Sequence, residues 1–191
     1  MSPKTNFRRL RLRRRSPGCP THSRRHWWNG TSSTSTWLRS ICVTNVFLDT
    51  DVILDLFIER EPHHSVALRF FSYLQLHADS IQAYTSPVVI ANVGYILGKA
   101  RSEFYAVQKI KGLRDFVRVL PMTEAQIDSA IQRPGDDFED SLQYHCATAS
   151  AVKIIITRNG DDFLTEGVQA LEPDEFMKIE LSDVCSGDFG Q

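Results

Sequence analysis

Short apolar runs alternate with segments of helical periodicity from Asn45 onward, and this alternation constrains the fold more than any other feature. Val46–Leu48 and Ile154–Ile156 are continuous apolar runs, which are typical of strands covered on both faces. Between such runs, apolar residues recur every three or four positions, as they do in helices that bury one face. Strands that alternate with helices predict an α/β fold built on a parallel sheet.

Further strands and a set of helices complete the predicted order. The other strands are expected at Ile81–Thr85, Val117–Leu120 and Val168–Leu171. Most of the expected helices begin at a proline or at a polar side chain that can cap the free N–H groups of a first turn. These starts are Pro62, Ser86, Thr123, Asp137 and Pro173, and the apolar face of one more helix is marked by Phe104, Val107, Ile110 and Leu113.

Charge divides the chain into two segments. Residues 1–44 contain ten of the 22 Lys and Arg residues and no Asp or Glu, so the rest of the chain has 12 basic against 23 acidic residues, a net charge of −11. We therefore expect residues 1–43 to be a basic disordered tail, residues 44–178 to form the folded domain and residues 179–191 to be a frayed C-terminal tail.

The basic tail has three interpretations. Its arginines and tryptophans suit an arm that binds RNA phosphates and stacks on bases. Its lack of acidic residues also suits an organelle transit peptide. In the third interpretation, translation has been assigned too far upstream and the true start lies near Val43.

Composition indicates one core and no membrane span. A hydrophobic fraction of 42% is enough for a single core, and no apolar run approaches the roughly 18 residues that a spanning helix needs. The four cysteines have no CxxC spacing, and a domain of this size needs no disulfide framework. We therefore expect reduced thiols in a cytoplasmic protein.

Acidic residues follow the predicted strands repeatedly. Asp49 ends the first strand, Asp140 lies in the first turn of a helix, and Asp162 follows the strand Ile154–Ile156. Carboxylates that converge at the carboxyl edge of a sheet repel one another unless a cation lies between them, and oxygen ligands favour Mg²⁺ or Mn²⁺. Such an ion activates water and neutralises phosphate charge, so the pattern predicts hydrolysis of a phosphodiester. Taken singly, Asp140 is also explained as a helix N-terminal charge and Asp162 as a solvated turn residue.

Four segments in a fixed order resemble the motifs of the PIN domain family. They are Val46–Asp55, Thr85–Leu97, Asp137–Gln143 and Ile156–Phe163. The first contains the apolar strand followed by Asp-Thr-Asp that is similar to the opening of such domains, and the segment Pro-Asp-Glu-Phe from Pro173 also agrees. The resemblance covers roughly residues 44–178.

This resemblance implies a three-layer α/β/α sandwich with a central parallel sheet of about four to five strands. It implies a ribonuclease that depends on Mg²⁺ or Mn²⁺, and VapC-like toxins are the largest bacterial group of the family. Such proteins are usually homodimers restrained by a cognate antitoxin protein. By position, Asp49 is the expected primary metal ligand, Asp140 the second and Asp162 an auxiliary ligand, and the same three residues are the expected catalytic residues.

Two positions depart from the family pattern. Asn92 stands where the second motif normally supplies Glu, and Asn159 stands where the fourth often has Asp. An amide oxygen can contact a metal or its water but carries no charge, so both asparagines are expected as weak metal contacts. Glu139 and Asp137 are candidate replacements, although Glu139 is expected to point along a different helix face from Asp140. The departures leave open a degenerate module that binds RNA or a protein partner without cleaving.

The segment from Lys99 to Arg118 holds six of the 12 basic residues of the expected domain. Such a concentration can track a phosphate backbone. The expected RNA contacts are Lys99, Arg101, Lys109, Lys111 and, from the fourth motif, Arg158. An ordinary solvated helix face is the alternative.

A haloacid-dehalogenase-like phosphatase is the competing enzyme class. Phe47–Asp51 imitates its strand and nucleophile motif, and Gly135–Asp140 imitates its metal motif. The metal motif should follow an apolar strand, whereas Ile131–Pro134 precedes it here. In addition, Ile53 stands where the nucleophile motif needs Thr.

Overall fold

The computed structural model describes residues 43–134, 137–160 and 166–186, and in this part of the chain five parallel strands form one sheet. The strands are β1 (Thr44–Leu48), β2 (Ile81–Thr85), β3 (Val117–Val119), β4 (Ile154–Ile156) and β5 (Gln169–Leu171). Their order across the sheet is β3-β2-β1-β4-β5, and each neighbouring pair is parallel. The predicted parallel sheet is confirmed.

Helices occupy most of the chain between the strands, and serine caps fix where two of them begin. They are α1 (Thr50–Phe57), α2 (His63–Leu76), α3 (Pro87–Ala100), α4 (Glu103–Leu113), α5 (Glu124–Gln132), α6 (Phe138–Ala149) and α7 (Pro173–Ser186). The side chain of Ser86 accepts a hydrogen bond from the N–H of Val89, and that of Ser102 accepts one from the N–H of Tyr105. Each cap satisfies a first-turn donor that has no partner inside its helix.

The central strand β1 is buried on both of its faces. Val46, Phe47 and Leu48 are each fully buried, and successive side chains of a strand point to opposite faces of the sheet. Both faces are therefore covered by other parts of the chain, which confirms the three-layer α/β/α arrangement. Leu48 pairs with Ile156 of β4, so the residues that follow these two strands emerge side by side at the carboxyl edge of the sheet.

The buried face of α4 differs from the prediction. Phe104 and Val107 were expected to face the core, but they are 75% and 56% exposed. The helix buries Leu113, as predicted, together with Ala106, which was not predicted. The physical reason is a glycine on α3: a Cβ at Gly94 would lie 3.3 Å from the Cδ1 atom of Ile110, and this close approach rotates Phe104 and Val107 away from the contact.

The C-terminal boundary also differs. The sequence pattern predicts a frayed tail from residue 179, whereas α7 continues to Ser186. No Gly or Pro interrupts the chain between Asp174 and Ser186, so nothing in that stretch stops a helix. The expected basic tail, apart from Val43, lies outside the described residues, and so does Asp162. None of the helices in the described ranges is long and apolar enough to cross a membrane.

The burial of Phe70 and the exposure of Phe104 predict different losses of stability when each is truncated to alanine. Phe70 on α2 is fully buried and packs edge-on against Phe71 and Phe176. We expect Phe70→Ala to lower the free energy of unfolding by about 3–5 kcal/mol, because it leaves a cavity. The same truncation at the exposed Phe104 should change this free energy by less than about 0.5 kcal/mol. Urea unfolding followed by circular dichroism measures both, and equal losses would contradict the described core.

Candidate active site

The carboxylate of Asp49 is buried where β1 ends and α1 begins. Asp49 is the N-cap of α1, and its side chain accepts a hydrogen bond from the N–H of Thr50. The hydroxyl of Thr157, at the end of β4, donates to Asp49 Oδ2 at 2.8 Å. The Asp49 residue is only 6% exposed. Because each carboxylate oxygen has a donor fixed by the sheet or the helix, the carboxylate is held in one orientation.

The negative charge of Asp49 is poorly compensated by its surroundings. Burial raises the pKa of its carboxyl group from 3.8 to about 6, and the nearby charge of Asp51 adds to the increase. Hydrogen bonds from Thr157, Gln143 and the N–H of Thr50 act in the opposite direction without cancelling it. A desolvated carboxylate of this kind is stabilised by a nearby cation.

Helix α6 brings a second carboxylate, that of Glu139, to the same place. The hydroxyl of Thr50 donates to Glu139 Oε1 at 3.0 Å, and the amide of Gln143 donates to the same oxygen at 3.4 Å. Gln143 is 1% exposed and also hydrogen-bonds to Asp49. Glu139, which the sequence names as a candidate replacement for the missing carboxylate, is therefore linked to Asp49 through Thr50. Residues four apart share one face of a helix, and the face that carries Glu139 and Gln143 is turned toward α1.

One oxygen atom at this site lacks a partner. Gln143 Oε1 is buried and accepts no hydrogen bond within the described residues. An unsatisfied buried carbonyl costs free energy that a cation or its bound water would recover. Together with the carboxylates of Asp49 and Glu139, this carbonyl forms a set of potential metal ligands that are all oxygen atoms. Hard divalent cations prefer oxygen ligands. The residues at this site thus fit a bound divalent cation.

Three other predicted metal contacts lie on α6, on α3 and after β4. Asp140 is half-buried beside Glu139 in the first turn of α6. Asn92 is half-buried on α3, and Asn159 is exposed after β4, where its N–H donates to the hydroxyl of Thr157 at 3.1 Å. Within residues 43–134, 137–160 and 166–186, no group of three or more His, Cys, Asp or Glu side chains is close enough to hold a metal ion.

Arg158 lies between two carboxylates of α1. It forms ion pairs with Asp51 at 2.7 Å and with Asp55 at 3.4 Å. Burial raises the pKa of Asp55, and the positive charge of Arg158 partly offsets the increase. These pairs tie the end of β4 to α1. Among the predicted RNA contacts, Arg158 is thus engaged internally, whereas Lys99 and Arg101 are exposed.

The sequence pattern alone did not single out Thr157, Gln143 or Thr50 as site residues. Of the three, Thr157 is the residue that could most easily have been predicted, because it follows a strand that ends beside β1. However, that inference requires the register that pairs Leu48 with Ile156, and a pattern of apolar runs does not reveal register.

The raised pKa of Asp49 predicts a pH-dependent difference between the wild type and Asp49→Asn in metal-free buffer. The folded-state pKa is about 6, above the ordinary value of 3.8, so the folded state binds this proton more tightly. The protonated carboxyl group therefore adds to the free energy of unfolding. This contribution is complete below about pH 4 and is lost as the pH rises through about 6, and its maximum is about 3 kcal/mol. Thermal unfolding across this range, with a chelator present, should show the wild type losing stability relative to the variant. A difference between the two proteins that stays constant with pH would contradict the assignment.

Comparison with known proteins gives concordant matches. The family model described as PIN domain matches residues 45–161. Ribonuclease VapC1 of Aquifex aeolicus (strain VF5) is 31% identical over 138 residues, which are 70% of this chain and 93% of that protein.

Solved structures show the same fold at lower identity. Mycobacterium tuberculosis VapC20, described as a Sarcin-Ricin loop cleaving toxin, matches with a TM-score of 0.52 at 18% identity, over 63% of this chain and 97% of that one. The structure of VapBC2 from Rickettsia felis bound to a promoter DNA fragment matches with a TM-score of 0.51 at 14% identity. The match covers 68% of this chain and 98% of that chain.

Proposed function

Because the chain belongs to the PIN domain family, we propose that it is an endoribonuclease that hydrolyses RNA phosphodiesters with a bound Mg²⁺ or Mn²⁺ ion. The observation that carries this proposal is the buried carboxylate of Asp49 at the carboxyl end of the central strand, with Glu139 linked to it through Thr50. The ribonuclease that is 31% identical supports the same activity. Family membership leaves no ground for the phosphatase alternative.

Asp49 and Asp140 are the proposed principal metal ligands. Asp162, Asn92 and Asn159 are proposed as auxiliary contacts through their side-chain oxygens. When bound, the ion supplies an activated water and neutralises charge on the phosphate in the transition state. Asp49 is proposed to act in its ionised form, which Thr157 and the N–H of Thr50 stabilise by hydrogen bonds.

Glu139 is proposed to supply the negative charge that Asn92 lacks. Its carboxylate is half-buried, and Thr50 and Gln143 orient it by hydrogen bonds to a single oxygen, Oε1. The other oxygen, Oε2, takes part in neither of these bonds, and it is proposed to accept a hydrogen bond from a metal-bound water. Glu139 is thus suited to orient that water, and Thr50 links it to Asp49 by hydrogen bonds.

RNA contacts are proposed for Lys99, Arg101, Lys109, Lys111 and Arg158, the last of which would exchange its ion pairs with Asp51 and Asp55 for a phosphate. The first four belong to the α3–α4 region, whose exposed cations can neutralise phosphate charge. We further propose that the protein acts as the toxin of a toxin–antitoxin pair, as a homodimer restrained by a cognate antitoxin protein. The fold shared with the VapBC2 structure supports this proposal.

Two carboxamide substitutions test the catalytic assignment. We expect Asp49→Asn and Asp140→Asn each to lower the rate of Mn²⁺-dependent RNA cleavage at least about 100-fold, because loss of a ligand charge weakens both metal binding and water activation. The matched control is Asp79→Asn, at an exposed turn before β2, which should cleave at the wild-type rate. The measurement is the initial rate on a radiolabelled structured RNA. Cleavage that survives both site substitutions would refute the assignment.

The role of Glu139 is tested by metal titration. We expect Glu139→Gln to raise the Mn²⁺ concentration for half-maximal cleavage about tenfold or more, since one anion near the ion is lost. Glu59→Gln, the same exchange at an exposed position, should leave that concentration unchanged. If Glu139→Gln behaves like its control, Glu139 does not replace the family's missing carboxylate.

A degenerate module that binds RNA or a protein without cleaving is the second candidate. The observation that favours it is the uncharged pair Asn92 and Asn159, together with the lack of a three-member cluster of ionisable ligands among the described residues. In the cleavage experiment, metal-independent RNA binding without cleavage by any form would support this candidate.

A further inference from the structure

Gln143 of α6 is a polar side chain buried among the groups of the candidate active site. It is 1% exposed, whereas glutamine is mostly found at protein surfaces, because burying an amide without partners costs free energy. Projected along the axis of α6, Gln143 lies between Glu139 and Asp140, the residues four and three positions before it. A residue that only filled this space would not need polar atoms, so the amide requires its own explanation.

The nitrogen end of this amide joins two carboxylates. Nε2 donates to Glu139 Oε1 at 3.4 Å, and the side chain of Gln143 also hydrogen-bonds to Asp49. Only the nitrogen end can make such bonds, because a carboxylate oxygen accepts hydrogen bonds and an amide oxygen has no hydrogen to donate. The amide therefore holds together two like charges, one on α6 and the other at the junction of β1 and α1.

The oxygen end of the same amide lacks a donor. Gln143 Oε1 is buried and accepts no hydrogen bond from any residue that the structure describes. The bonds that join Oε1 to Nε2 through the amide carbon are about 1.23 and 1.33 Å long, so this oxygen lies within about 2.6 Å of Nε2. It thus lies beside the two carboxylates, where it adds one more acceptor to theirs.

The other donors at this site are directed at the carboxylates. The N–H of Thr50 and the hydroxyl of Thr157 donate to Asp49, and the hydroxyl of Thr50 donates to Glu139. A group that satisfies Gln143 Oε1 must therefore be a donor that also tolerates neighbouring anions. Water in the hydration shell of a divalent cation has both properties, because its oxygen faces the ion and its hydrogens point outward. The cation in addition removes the repulsion between the two carboxylates, which water alone does not.

We propose that Gln143 is a positioning residue of the metal site, whose N–H groups hold the carboxylates of Asp49 and Glu139 and whose Oε1 accepts a hydrogen bond from a water in the hydration shell of the ion. The inference rests on the proposed metal-dependent nuclease and adds a residue to its metal site. An amide suits this position because it supplies donor and acceptor together, whereas a carboxylate would add a further negative charge.

Binding of Mn²⁺ alone to the full chain, without RNA, tests this role. The readout is the electron paramagnetic resonance signal of free Mn²⁺, which falls as the ion binds to protein that a chelator has freed of metal. Gln143→Met keeps the length of the side chain but removes its oxygen and N–H groups, so we expect the Kd for Mn²⁺ to rise about tenfold or more. The matched control is Gln75→Met, at an exposed position on α2, which should keep the wild-type Kd.

Gln143→Glu separates the contribution of the oxygen from that of the N–H groups. This variant keeps an oxygen at the same place, loses both N–H groups and adds a negative charge, so we expect it to bind Mn²⁺ at least as tightly as the wild type does. An amide with a merely structural role would give another pattern: both variants would lose stability in circular dichroism melts, and the Kd for Mn²⁺ of the folded protein would not change.

Two results would overturn the inference. A wild-type Kd for Gln143→Met would show that the amide does not contribute to metal binding. Weaker binding by Gln143→Glu would assign the effect to the N–H groups and exclude the role of Oε1, and this result decides the matter even if Gln143→Met does not fold. The nuclease is judged separately: a wild-type protein that binds no Mn²⁺ rejects the proposed metal dependence as well, whereas binding that is insensitive to Gln143 rejects this inference alone.

Discussion

The hydrogen bond from Thr157 to Asp49 joins the ends of two neighbouring strands around a buried carboxylate. It forms because Leu48 and Ile156 are paired in the sheet, so a shift of one residue in register would turn Thr157 to the opposite face. The same carboxylate caps α1. Sheet register, the start of a helix and the orientation of the candidate catalytic group thus depend on one side chain.

This arrangement has an energetic cost. Burial raises the pKa of Asp49, so its ionised form is less stable in the folded protein than in water. Arg158 does not remove the imbalance, because Asp51 and Asp55 already hold it in ion pairs. A bound cation would offset this cost, which explains why a stable fold retains a buried charge at this position.

The strands were predictable from the sequence because they are short apolar runs with clear limits. Ile81–Thr85 is predicted and observed with the same bounds. The positions of two proposed site residues were predictable: Asp49 follows such a run, and Asp140 lies in a recognisable first turn. Glu139 was a candidate from the sequence, but its contacts with Thr50 and Gln143 were not predictable, because they depend on how α6 is rotated against α1.

The exposure of Phe104 and Val107, which the sequence did not predict, has a physical cause. Apolar periodicity predicts that Phe104 and Val107 are buried, and in an isolated amphipathic helix that inference is sound. Here Gly94 allows Ile110 of α4 to approach α3 closely, and the larger apolar residues face outward. Apolar residues that are strongly exposed in this way cost solubility unless something covers them.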